Sequence, residues 1–325
     1  MSHQNSLKQI TNCFIKKEDI MYLLVVLYAL LAATFSLGKI LLSYTQPIFL
    51  VGVRMSIAGS ILLLYHGYSN KTTNLKIKRS DFLLFVQAML FTIYIPYILR
   101  YWGLQHLSSS NACLLYNFGP FITYAFSYIL CGEKITTKKC IGLLIGFCGL
   151  LPIIGKSSVN CTALGGSFFM PELALLISVS SMSYGWLVIH RLITTHMYQP
   201  TLVNGISMFF GGLLALGTSY FTEDPALLIT DIMPFVTLLI IIIIVSNLIC
   251  HNLYGTLLKQ FTPTMMSFAG FMSPLFAALY GWLFMAEQLS FDFFMASITV
   301  FIGLSLFYHD ELNQSTLVKK PMVNA

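Results

Sequence analysis

Apolar runs of bilayer-spanning length, such as IMYLLVVLYALLAATFSLG at positions 20–38, recur along the whole chain. A helix needs about twenty apolar residues to cross a hydrocarbon core roughly 30 Å thick. Inside lipid no water is present to bond backbone N–H and C=O groups, so a run of this kind must close its hydrogen bonds within itself, as a helix. Ten runs fit, at 20–38, 46–65, 82–102, 111–131, 139–155, 171–190, 201–221, 233–254, 264–285 and 292–308. They predict an all-α integral membrane protein of ten transmembrane helices. Charge agrees: only 9% of the 325 residues are charged and 57% are hydrophobic, against about 25% charged in soluble domains. The longest connection, about 66–81, holds NKTTNLKIKRSD, and no segment is long enough for a separate soluble domain.

Basic residues set the expected orientation. With the N-terminus in the cytoplasm, the inner segments hold Lys8, Lys16, Lys17, Lys71, Lys76, Lys78, Arg79, Lys134, Lys138, Lys139, Arg191, Lys259, Lys319 and Lys320, which is 14 of the 18 basic residues. The connection 222–232 carries Glu223, Asp224 and Asp231 and no base, which suits the outer side. Both termini, 1–19 and 309–325, are therefore expected in the cytoplasm, with the chain in a bacterial inner membrane. The N-terminal apolar run follows positive charge but shows no small-residue cleavage pattern, so it is read as a first membrane helix and not a removed signal.

The seven cysteines are odd in number, form no CxxC and lie mostly in apolar runs. They read as small buried hydrophobes, and the sequence offers no metal site and calls for no cofactor. The sequons at Asn70, Asn160 and Asn313 are chance matches to a short pattern.

Two spans share an unusual layout. Pro120 and Glu133 are 13 residues apart, and so are Pro274 and Glu287; the pairs are offset by 154. Holding that offset, Phe147 meets Phe301, Gly149 meets Gly303 and Leu150 meets Leu304. The pattern predicts a duplication of 20–155 into 171–308. Five spans per half is odd, so the second half must cross in the opposite sense. Inverted repeats mark secondary transporters, whose substrate sites lie near the midplane between halves.

GPFITYAFSYILCGEKITTKKCIGLLIGFCGLL, its weaker echo SPLFAALYGWLFMAEQLSFDFFMASITVFIGLSLF, and FSLGKILLSYTQPIFLVGVRMSIAG with Lys39 and Arg54 resemble the EamA-type branch of the drug/metabolite transporter superfamily. The resemblance covers nearly the whole chain. A Trp–Gly pair common in that family's first span is replaced here by Leu31–Ala32. The resemblance implies two inverted five-helix halves around a central cavity.

Polar groups within spans are functional candidates by default. Arg54 is the deepest charge, about eight residues into span two; it could hold a carboxylate bidentately or fix helix packing. Lys39 and Arg100 fall at expected outer ends, as anchors or an entrance for anionic groups. Tyr94, Tyr97 and Tyr101 share the i, i+3, i+7 spacing of one helical face, as do Asn247, His251 and Tyr254 at i, i+4, i+7. Tyr97 and His251 coincide under the 154 offset, so both helices are expected to line a cavity between halves. Ser178, Ser180, Ser181 and Ser183 suit close helix approach, while Tyr184 and Trp186 offer stacking surfaces. Asn117, beside Pro120, is the preferred polar contact in span four. Pro120, Glu133, Pro274 and Glu287 are structural or gating candidates, with the prolines expected to kink their helices.

The expected function is secondary transport of a small polar metabolite by alternating access. No Walker motif is present, and the scattered acids and histidines do not form a catalytic cluster. A membrane-embedded enzyme and a non-transporting membrane protein are remote alternatives. The aromatic faces suit a purine or an onium cation, and the bases suit a carboxylate. S-adenosylmethionine combines all three groups and is the first choice of substrate, with import by exchange and proton-linked export both compatible with the sequence; an amino-acid, metabolite or drug exporter is the alternative. The expected partners are that small molecule and membrane lipid, with no nucleic acid.

Overall fold

The computed structural model describes residues 17–69, 77–107, 112, 115–131, 136–158, 169–224, 229–285, 295, 298–303 and 305–306. Among these residues the chain is helical, with no strand beyond one isolated bridge between Thr45 and Ile229. The helices are α1 Lys17–Leu41, α2 Pro47–Ser69, α3 Arg79–His106, α4 Gly119–Cys131, α5 Thr137–Ser158, α6 Phe169–Thr194, α7 Pro200–Thr222, α8 Ile232–Leu257, α9 Pro263–Ala269 and α10 Met272–Met285. Six of them, α1, α2, α3, α6, α7 and α8, are long and apolar enough to cross a membrane. Leu64, Phe210, Leu213, Ile240 and Ile244 are exposed on the outer flanks of these helices, as apolar side chains facing lipid should be. Glu133 and Glu287 lie outside the described residues.

Prolines open several helices. Pro47, Pro200 and Pro263 stand at the first position of α2, α7 and α9, where a missing N–H loses nothing and the fixed φ suits the helix. The α2 start is also capped from a distance. Glu223, just past α7, accepts hydrogen bonds from the backbone N–H groups of Ile48 and Phe49, both at 2.7 Å, and from the Ser219 hydroxyl at 2.6 Å. A carboxylate there satisfies orphan donors and meets the positive end of the helix dipole.

Two expected spans are broken rather than kinked. The fourth interrupts at Asn117–Phe118 and restarts as α4 at Gly119, so Pro120 is the second residue of a new helix. The ninth interrupts at Gly270–Phe271 between α9 and α10, with Pro274 third in α10. The physical reason is the one that favours proline early in a helix: near the start it removes a bond that would not have formed. Spans three and eight carry another irregularity, a π segment: Met89–Tyr94 in α3 and Ile243–Cys250 in α8. The two segments begin 154 residues apart.

α2 and α7 run antiparallel in close contact. A methyl at Gly52 would stand 2.7 Å from the Leu216 side chain, one at Gly59 would overlap the Phe209 backbone nitrogen, and one at Gly212 would overlap that of Ser56. Small residues let the backbones approach where apolar burial against lipid gives no net drive. α6 uses the same device against the π segment of α3. Gly185 leaves no room for a side chain against the Phe91 carbonyl, Ser181 donates to that carbonyl at 3.2 Å, and Ser178 donates to the Pro96 carbonyl at 2.7 Å. Pro96 has no N–H to give to Phe91 five residues back, and Ser181 takes its place. α4 and α9 also run antiparallel, joined by hydroxyl pairs Thr123–Ser267 at 3.2 Å and Thr264–Ser127 at 3.1 Å.

Gly59→Ala is expected to lower the melting temperature of the detergent-purified protein by several degrees, because overpacking at a backbone contact costs about 1–3 kcal/mol. Gly217→Ala, in the same α2–α7 pair but facing open space, should leave it unchanged; equal behaviour of the two variants would refute the packing account.

Candidate functional site

A cavity of about 140 Å³ lies at the centre of the helices, between two clusters of buried apolar residues. Its wall is assembled from α1 (Tyr28, Thr34, Phe35), α3 (Tyr97, Arg100), the α4 break (Tyr116, Asn117, Thr123), α6 (Ser183, Trp186), α8 (His251, Tyr254) and the α9–α10 break (Ser267, Gly270, Ser273). Among its described lining residues there is no aspartate or glutamate.

The rings form a continuous row. Trp186 stacks on Tyr254 with centroids 4.0 Å apart and planes 28° from parallel. His251 follows at 5.7 Å from Trp186, and Tyr97 at 5.9 Å from His251. Next comes the Arg100 guanidinium, 5.9 Å from the Tyr97 ring, 3.8 Å over Phe35 and 5.3 Å over Tyr116. The cavity is therefore aromatic at one end and cationic at the other.

In its neutral form His251 is held in one tautomer by its bonds. Its Nδ1 lies 2.9 Å from the Ser246 carbonyl, which can only accept, so Nδ1 carries the proton. Nε2 is then the acceptor for the Tyr97 hydroxyl at 3.0 Å. The Ser246 carbonyl is reachable because it belongs to the π segment of α8. Tyr28, across the cavity, is anchored by donating its hydroxyl proton to the Met266 carbonyl.

The sequence-derived candidates divide into two groups. Tyr97, Asn117, Trp186 and His251 are brought together on the cavity wall. Arg54, Tyr94, Tyr184 and Asn247 stand off it. Tyr94 shares a 2.7 Å hydrogen bond with Thr218 of α7, and Tyr184 packs edge-on against Phe91 at 4.9 Å. Arg54, only 1% exposed, is consumed in a network: Nε donates to Asn247 Oδ1 at 2.6 Å, Nη2 to Ser246 Oγ at 2.6 Å, and Nη1 to the Tyr101 hydroxyl. It ties α2 to α3 and to the π segment of α8.

The two expected helical faces split for one reason. A 3.6-residue period places Tyr94 with Tyr97 and Asn247 with His251, but each pair straddles the end of a π segment. A π turn takes more residues than an α turn, so side chains on either side of the junction leave in different directions.

Two cations read as equivalent end groups also part ways. Lys39 donates to the Leu107 carbonyl at 3.0 Å and to that of Leu104, closing the C-terminus of α3. Arg100 is 7% exposed and lines the cavity. Its signal was present in the sequence as a charge near the end of an apolar span; its inward aim was not. Pro120 adjoins the cavity at the α4 break without lining it.

The profile of the EamA-like transporter family matches this chain twice, over residues 19–155 and 169–309. The chain belongs to the EamA-like transporter family. It is accordingly a transporter and not an enzyme. A Chlamydia muridarum protein named S-adenosylmethionine/S-adenosylhomocysteine transporter is 32% identical over 290 residues, 87% of this chain and 89% of that protein. Its Chlamydia trachomatis serovar L2 counterpart, of the same name, is 32% identical over 287 residues, 87% of each chain. A solved crystal structure superposes with a TM-score of 0.72 over 91% of this chain and 97% of its own, at 14% identity; that likeness concerns the fold alone.

The Arg54 network generates a prediction for this EamA-family chain. Arg54→Gln removes charge-assisted bonds to Asn247, Ser246 and Tyr101, each worth about 1.5–3 kcal/mol. A clear loss of thermal stability in detergent is expected, read by a melting curve. Wild-type stability with altered substrate affinity would assign Arg54 to binding instead.

Proposed function

We propose that this protein carries S-adenosylmethionine across a bacterial inner membrane, by exchange with S-adenosylhomocysteine. The observation that carries this reading is the aromatic row along the central cavity, from the Trp186–Tyr254 stack through His251 to Tyr97. Adenine is a flat π system that gains from stacking on such rings. A sulfonium is drawn to ring faces by the quadrupole. The names of the two Chlamydia relatives point to the same molecule. On this reading Tyr97, Trp186, His251 and Asn117 contact substrate, while Arg54, Asn247, Tyr94 and Tyr184 hold the wall in place.

The frame we infer is ten helices in two inverted five-helix halves, with both termini cytoplasmic. Four observations support it. α2 and α7, at corresponding places in the halves, pack antiparallel, and so do the helices α4 and α9 of spans four and nine. The π segments begin 154 residues apart. Tyr97 and His251, also 154 apart, hydrogen-bond to each other, as residues related by a two-fold axis would when they sit upon it. Alternating access would rock the halves about this axis, with the helix breaks beside Pro120 and Pro274 as natural places to bend.

Proteoliposomes loaded with S-adenosylhomocysteine should take up labelled S-adenosylmethionine with saturation. Trp186→Ala should raise the half-saturating concentration roughly tenfold, in line with about 1–3 kcal/mol for stacking one base. Absence of saturable uptake in loaded vesicles would sink the substrate assignment.

A further inference from the structure

We propose that Arg100 and Asn117 form a seat for the carboxylate of the transported molecule, and that this seat makes the site selective for amino-acid-bearing substrates. The inference rests on reading the central cavity as the substrate site. Its ground is a shortage of acceptors. Arg100 Nε is buried with no hydrogen-bond partner, and so is Asn117 Nδ2; their residues are 7% and 3% exposed, and both line the cavity. Arg100 Nη2 makes one long contact, 3.4 Å to Thr34 Oγ1. The free Nε and the weakly used Nη2 are the two donors along one edge of the guanidinium, the edge that takes two carboxylate oxygens side by side.

A buried charge is retained when something pairs with it. Among the described residues no carboxylate lies within ion-pair reach of Arg100; its neighbours are the faces of Phe35, Tyr97 and Tyr116. Those faces support a cation but accept no N–H in its plane. Asn117 follows Tyr116 at the break before α4, where the side chain is not held by a regular helical turn. Two orphan donors lining one cavity, one of them charged, match an anion with two acceptor oxygens. The aromatic end then receives the rest of the molecule, so the carboxylate fixes which way it lies.

The test compares two pairs of compounds as competitors for binding to the purified full-length protein. One pair is S-adenosylmethionine and its decarboxylated amine. The other is phenylalanine and phenethylamine. The wild type should prefer the carboxylate member by at least about tenfold, since a site built to hydrogen-bond a group rejects an analogue lacking it. Arg100→Gln should abolish the preference by weakening the carboxylate member alone, Arg100→Lys should keep part of it, and Asn117→Ala should reduce it severalfold. A wild type that shows no preference in either pair overturns the seat, without needing any variant to fold. A preference that survives Arg100→Gln also overturns it. If neither S-adenosylmethionine nor its amine binds while the phenylalanine pair shows the Arg100-dependent preference, the seat stands and S-adenosylmethionine fails. If S-adenosylmethionine and its amine bind equally, S-adenosylmethionine stands and the seat fails.

Discussion

In hydrocarbon every backbone N–H and C=O needs a partner, and this requirement organises the molecule wherever its helices depart from regularity. At the π segments and beside them, backbone carbonyls also receive side-chain donors. Ser181 serves the Phe91 carbonyl, Ser178 serves Pro96, His251 serves Ser246, and Asn204 serves His251 at 2.9 Å. Glu223 and Lys39 do the same for helix ends. Most of these bonds join different helices, so the irregularities of one element become the fasteners of the fold.

Irregular backbone is tolerated at membrane depth where it borders a cavity or is buried in protein. The cavity here is bordered by three such places: the π segment of α8, through Cys250, and the two helix breaks. In the π segment of α8 the Ser246 carbonyl accepts the bond that fixes the His251 tautomer, and Asn117, at the break before α4, lines the cavity.

Positions 154 residues apart share locations but not chemistry. Arg100 corresponds to Tyr254, and all four of Arg100, Tyr254, Tyr97 and His251 line the cavity. The charge belongs to the first half and the stacked indole–phenol pair to the second. A duplicated frame thus encloses a polar site with two unlike ends, which is what an elongated molecule with an aromatic head and an ionic tail requires.

The membrane class, the transport reading and most helix positions were legible in the sequence, because hydropathy and the 154-residue offset are one-dimensional properties. Asn117, Tyr97, Trp186 and His251 were also legible as polar or aromatic candidates within spans, and all four line the cavity. The division between Arg54 and Arg100 was not. Both are arginines in apolar surroundings; the deeper one is saturated by Asn247, Ser246 and Tyr101, and the shallower one faces the cavity. Nor could a 3.6-residue period show that Tyr94 and Asn247 leave the faces to which it assigned them, because a π segment ends between each of them and its expected neighbour. Sequence alone determined which groups must be sheltered from lipid. Tertiary structure alone decided which of them find partners and which remain open, because hydrogen-bond satisfaction depends on atoms brought together from distant parts of the chain.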